Sequence, residues 1–249
     1  MLAFLALASL LVGLIIGATG IGGVILIPLL MAAGGLTTHQ AMATALASFL
    51  FCGIASTWAF QRHGSFLWRE TAPVIAGCLC TSHVGAYIAT MASARFLDLT
   101  LAAIILLSSA YNLVTPQGFN LPTRLGRRGN LALLFGAGCL TGFLCGMTGA
   151  GGGIVSTPLL FLCGYQTLPV IATAQILQIF VSLAGSPVNL AHGYIDLHLA
   201  GWVSIFEVAG VLLGSGLAHR LPVRTLRVTA VTLCLLTSAA LAVKAVFWG

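Results

Sequence analysis

Gly17-Ala18-Thr19-Gly20-Ile21-Gly22-Gly23 and, 129 residues later, Gly146-Met147-Thr148-Gly149-Ala150-Gly151-Gly152-Gly153 each interrupt a long apolar stretch. Each is followed by a proline and two leucines, Pro28-Leu29-Leu30 and Pro158-Leu159-Leu160. Glycine is the costliest helix residue after proline, so a cluster of it predicts a broken helix. Broken backbone at membrane depth is tolerated only where it is buried in protein or lines a cavity. A matched pair of breaks in two halves of a chain is the pattern that marks a transporter's substrate site.

The surrounding composition fits that setting. Charged residues make up 6% of the chain, against about 25% in ordinary globular domains. A mean hydropathy of +1.09 leaves too little polar surface for a soluble fold. Residues 1–17 carry no basic leader region and read as a first membrane element. The expected class is therefore an all-α polytopic membrane protein. The seven cysteines all fall in apolar stretches without CxxC spacing, which reads as packing and gives no disulfide framework.

The 129-residue offset extends beyond the glycines. It relates Gly13 to Gly142, Gly35 to Gly164, Thr38 to Thr167 and Ala43-Thr44-Ala45 to Ala172-Thr173-Ala174. Further on it relates His63-Gly64 to His192-Gly193, Gly85 to Gly214, Arg95 to Arg224 and Thr100 to Thr229. The chain thus divides into a first membrane repeat, 1–115, a basic linker, 116–129, and a second membrane repeat, 130–249. Copies of this length, each with several apolar segments, indicate duplicated bundles rather than a solenoid.

The apolar spans are 2–33, 41–60, 71–91 and 98–114 in the first half, and 131–162, 170–191, 199–218 and 225–247 in the second. A span of some 32 residues exceeds the ~20 needed to cross a bilayer core. Broken at its glycines, it predicts two arms of about 15 residues. These form either a re-entrant hairpin or a pair of short tilted helices. If the glycine segment returns to its starting side, the halves are inverted. Arg62, Arg69, Arg124, Arg127, Arg128, Arg220, Arg224 and Arg227 then share one side, and Arg95 and Lys244 the other. The positive-inside rule prefers this eight-to-two division to the six-to-four of parallel halves. The reading is inverted repeats, each a glycine-broken hairpin plus three transmembrane helices. The arginine-rich loops are cytoplasmic and both termini outside.

A helix starting after each break, near Gly23 and Gly153, presents free N–H groups and a dipole that favour an anion. Thr19, Gly20, Ile21, Gly22 and Gly23 form one candidate tip, and Thr148, Gly149, Ala150, Gly151, Gly152 and Gly153 the other. Thr19 and Thr148 would add hydroxyl donors. The competing use of such glycines is close helix packing, to which Gly13, Gly17, Gly142 and Gly146 are suited.

These motifs carry a family resemblance. Gly-x3-Gly-x2-Gly-x-Gly-Gly before Pro-Leu-Leu, duplicated over nearly the whole chain, resembles the sulfite exporter TauE/SafE family of membrane permeases. The resemblance implies secondary transport of a sulfite-like sulfur oxyanion or small organosulfonate across the inner membrane, without a cofactor. One departure is Val24, which stands opposite Gly153 when the repeats are aligned through their first glycines.

Gln175 and Gln178, three apart on one helix face, suit a substrate wall or a helix–helix hydrogen bond; Leu46 and Phe49 replace them in the first half. Glu207 is the one carboxylate well inside an apolar span, a candidate proton carrier or a structural partner. His63 and His192 recur at matched helix ends, either as gating groups or as turn residues. No metal-ligand spacing is present, and the basic loops lack the aromatic interleaving of a nucleic-acid surface. The expected partners are a small anion, a proton and the lipid bilayer. Two other classes share some of these features. An anion channel could use the same tips. An intramembrane hydrolase could use Ser215 with His83, but the Gly214-Ser215-Gly216 run lacks a strand–turn–helix context.

Overall fold

The computed structural model describes residues 2–93 and 126–222 continuously, together with single residues among 95–106 and 224–243. Among the features named above, Thr100, Arg124, Arg227, Cys234, Lys244, the linker up to residue 125 and the Val24 side chain lie outside the described residues. So does most of the last apolar span of each half.

All regular structure among the described residues is helical. The first half holds α1 (Leu2–Thr19), α2 (Gly23–Gly34), α3 (Thr38–Arg62) and α4 (Trp68–Ala89). The second holds α5 (Arg127–Thr148), α6 (Gly153–Cys163), α7 (Thr167–Ala191) and α8 (Leu197–Ala218). The bounds of α3 and α4 recur in α7 and α8 at the 129-residue offset. Five helices, α3, α4, α5, α7 and α8, are long and apolar enough to cross a membrane. The chain is a multi-pass membrane protein.

The arms of the glycine segments are unequal, unlike the two arms of about 15 residues expected from the sequence. α5 has 22 residues and α6 only 11; α1 has 18 and α2 12. α5 gains length because Arg127–Asn130, polar residues assigned to the linker side of the apolar span, already form its first turn. α6 reaches only about 16 Å at 1.5 Å per residue. It doubles back: Tyr165, just past α6, donates a hydrogen bond to Asn130 Oδ1 at the start of α5.

Helix directions follow from backbone contacts at small residues. Gly138, Gly142 and Gly146 of α5 lie against Val74, Cys78 and Ser82 of α4 in the same order, so the two helices run parallel. A β-carbon at any of these glycines would strike the facing main chain. That closeness gives α4 and α5 their extensive contact. α1 and α8 repeat the arrangement, with Gly13 and Gly17 on Glu207 and Val211.

At one end, α3 and α8 finish together, with Ser65 Oγ 2.8 Å from His219 Nε2. Leu67, Glu70 and Tyr165 line one cleft there, which brings the starts of α4 and α5 to the same end. Arg62, Arg69, Arg127, Arg128 and Arg220 therefore gather at this basic end. At the opposite end α7 finishes and α8 begins beside the start of α3; the Asp196 N–H donates to Thr44 Oγ1 at 3.1 Å. Within the molecule α1 and α5 run in opposite directions, as do α3 and α7, and α4 and α8.

Polar bonds join the halves where apolar contact alone would leave their register loose. Ser182 Oγ donates to the Leu46 carbonyl at 2.7 Å, and Thr81 Oγ1 to the Cys139 carbonyl at 2.7 Å. The six described cysteines are free; Cys80 is exposed and Cys139 partly so, while the other four are buried packing residues.

Candidate functional site

The two glycine tips meet in the interior. A β-carbon at Gly153 would collide with the Gly20 carbonyl, and one at Gly23 with the Ala150 carbonyl. Each tip thus sets a carbonyl against the first residue of the other half's short helix. The turns need glycine: Gly20, Gly149 and Gly151 hold φ of 77°, 65° and 78°, a left-handed conformation that strains other residues. Part of each first turn is already partnered, the Val155 N–H of α6 by Cys145 of α5. In α2 the Ile25 N–H reaches the Gly22 carbonyl at 2.9 Å, and in α6 the Ser156 N–H reaches Gly152 at 3.4 Å. Both helix dipoles place partial positive charge at this meeting point.

Thr19 and Thr148 are buried at the tips, but each hydroxyl proton goes to a nearby main-chain carbonyl. Thr19 Oγ1 lies 2.8 Å from the Ile15 carbonyl and accepts from the Ile21 N–H at 3.2 Å; Thr148 donates to Leu144 at 2.8 Å. The hydroxyl left over is one the sequence reading passed by, Thr157 on α6. It is fully buried, its Oγ1 has no hydrogen-bond partner, and it lies 3.4 Å from where a β-carbon of Gly20 would stand. Its signal in the sequence was asymmetry: Ser156-Thr157 precede Pro158, where Leu26-Ile27 precede Pro28 in the first half.

Gln175 and Gln178 are buried on α7, and the Gln178 backbone N lies beside Gly152. Gln175 Nε2 donates to the Ile16 carbonyl across the halves at 2.6 Å, and its Oε1 accepts from Gln178 Nε2 at 3.4 Å. Gln175 is thus a tie between halves. Gln178 Oε1 has no partner. The wall opposite is apolar. Phe49, the repeat counterpart of Gln178, is fully buried with its ring against both tips. A β-carbon at Gly23 would stand 2.8 Å from Phe49 Cζ, and one at Gly151 3.3 Å from Cδ2. The close neighbours of the tips include Met42, Phe49, Thr157, Ala174, Leu177 and the Gln178 backbone, none charged.

Glu207 lies apart from the tips, buried between α1 and α3. Its Oε2 accepts from the Cys52 thiol at 3.5 Å, Oε1 has no partner, and Gly13 packs on its backbone. The two repeated histidines lie at opposite ends. His63 stacks on His219 at the basic end with ring centroids 4.0 Å apart, and His192 stacks on Tyr194 at 5.9 Å at the other. Ser215 donates within α8 to the Leu212 carbonyl at 2.9 Å, an ordinary helical back-bond rather than an activated nucleophile. No metal-binding cluster is found among the described residues.

Each end carries a cleft, and the two differ in what they reach. From the non-basic end a narrow cleft of about 20 Å³, lined by His39, Met42, Thr90, Asn189 and Tyr194, reaches Gly149. At the basic end the repeat-related positions of Thr90, Asn189 and Tyr194 hold His219, Phe60 and Ser65. These pack together, with Phe60 4.9 Å from His219, and His219 Nδ1 lies 2.7 Å from the Ser215 carbonyl. Burial pushes the His219 pKa below its ordinary 6.5, and His63 adds to the effect against the opposing Ser215 carbonyl.

Paired short helices with their tips together, and with no charged side chain beside them, form the interior of the bundle. The family profile for sulfite exporter TauE/SafE matches residues 5–241, and the chain belongs to that family of membrane transporters of sulfur anions. No curated protein and no solved structure matches it.

Proposed function

We propose that the protein is a secondary transporter that carries a sulfur oxyanion or small organosulfonate by alternating access, with the anion held between the glycine tips. The observation that carries this reading is the meeting of the two glycine tips in the interior, with a buried hydroxyl beside Gly20, Thr157, that has no hydrogen-bond partner. Such donors stabilise an oxyanion without the cost of burying a fixed charge. Gly20–Gly23 and Gly149–Gly153 supply the backbone, and Gln178 and Thr157 the side chains. Thr19 and Thr148 shape the turns.

The halves are taken to be inverted across the inner membrane, with the arginine end cytoplasmic and both termini outside. The opposed helix directions and the gathering of arginines support that placement. The cleft at one end and the packed plug at the other suit a state open to one side, with His63 and His192 at the two gates. Glu207 is the proposed proton carrier: a carboxylate with one unpartnered oxygen in an apolar interior is stable only while protonated or paired.

Reconstitution into liposomes tests the reading. Saturable uptake of sulfite that a proton gradient accelerates is the expected result. Large unitary currents without saturation would point to a channel, and the absence of flux for every sulfur anion would remove the substrate assignment.

A further inference from the structure

The tips are flanked by two unlike walls, and the repeat shows how they differ. At the same register, α7 offers Gln175 and Gln178 while α3 offers Leu46 and Phe49. The Phe49 ring bridges the tips, in contact range of both Gly23 and Gly151, and no solvent reaches it. The partnerless Thr157 hydroxyl, fully buried, lies 3.4 Å from the β-position of Gly20 on the first tip. A ligand at the tips meets that hydroxyl and an aromatic hydrocarbon.

We propose that Phe49 is the specificity-determining residue: its ring packs on the group attached to sulfur and limits the size of that group. The inference rests on the anion-site reading above and deepens it. A sulfonate has the two faces this geometry needs, three oxygens for the tips and Thr157 and a carbon substituent for the ring. The ring edge also carries partial positive charge, so its approach to an oxyanion is not repulsive. Because the ring lies against both tips, a bulkier substituent on sulfur must displace it. Longer chains are excluded by overlap with Phe49 rather than by loss of a hydrogen bond.

The test uses the full chain, purified, and compares wild type with Phe49→Ala and Phe49→Leu. Affinities for sulfite, methanesulfonate and 1-propanesulfonate are measured by calorimetry, with chloride and sulfate as controls. Wild type should bind sulfite and methanesulfonate and discriminate against propanesulfonate. One or two methylenes in an apolar pocket are worth tenfold or more, so Phe49→Ala should shift the propanesulfonate-to-methanesulfonate ratio by about tenfold toward the longer chain. Phe49→Leu, which keeps most of the buried volume, should give a smaller shift in the same direction and decides the question if the alanine variant fails to fold. An unchanged ratio in variants that still bind overturns the role of Phe49. Failure of wild type to bind any of the three overturns the anion site itself, a distinct result.

Discussion

Gly153→Ala separates the tip geometry from general helix stability. Gly153 opens α6 and its φ is not positive, so alanine fits the backbone there and by intrinsic preference would favour the helix. What it would not fit is the other tip. The added β-carbon runs into the Gly20 carbonyl, lies 2.6 Å from the Gly20 carbonyl carbon, and approaches Ala174 Cβ to 3.4 Å. The obstacle is backbone in a left-handed turn, not the loose end of a side chain, so the tips must separate. Overpacking of this kind costs about 1–3 kcal/mol. If the anion needs both tips together, that cost appears in binding as a loss of about 5- to 150-fold. Gly216→Ala is the matched control, since a β-carbon there meets nothing within 4 Å. Calorimetric titration of sulfite into both purified variants reads the difference. Wild-type affinity in Gly153→Ala, or an equal loss in Gly216→Ala, would refute the reasoning.

Other substitutions divide binding from folding in different ways. Thr157→Val keeps the shape and removes a hydroxyl that has no protein partner, so thermal stability should hold or rise while anion affinity falls about 2- to 10-fold. Gln175→Leu removes the tie to the Ile16 carbonyl, which keeps its bond from the Gly20 N–H at 2.7 Å, and should lower stability by about 0.5–1.5 kcal/mol, seen as an earlier thermal midpoint even without ligand. Glu207→Gln should insert and fold but transport at a rate indifferent to an imposed pH gradient, which proteoliposome flux would show. At the basic end, His219 is favoured neutral. Its contribution to the plug is complete above pH 6.5 and is lost as pH falls through its lowered pKa. Thermal midpoints between pH 7 and 5 should therefore drop more steeply in wild type than in His219→Asn.

Much of the architecture could be read from the sequence because membrane physics leaves few choices. Apolar runs of the right length must be helical, and glycines that break them must be buried. The lengths of the arms were misjudged because polarity marked the wrong start for α5: Arg127–Asn130 are helical although they are not apolar. The positions of the tips were legible from Thr-Gly-x-Gly-Gly, but their side-chain chemistry was not. Thr19 and Thr148 stand out in the motif, yet their protons go to Ile15 or Ile21 and to Leu144. Thr157 carries no motif and becomes conspicuous only when its neighbours fail to satisfy it. Phe49 had looked like a mere absence of Gln178; contact with Gly23 and Gly151 is a long-range fact that the local sequence does not encode.

The central claim is that the anion sits between the tips, and thermal-shift titration of wild type against Gly151→Leu tests it most directly. Gly151 holds a φ of 78° and its β-position lies 3.3 Å from the Phe49 ring, so leucine both strains the turn and fills the site. Sulfite or methanesulfonate at a hundredfold excess over Kd should stabilise wild type by about 2.7 kcal/mol, with no matching effect of chloride. Gly151→Leu should enter the membrane and purify as a folded protein that shows no such response. Equal stabilisation of the two proteins would place the anion elsewhere and contradict the account.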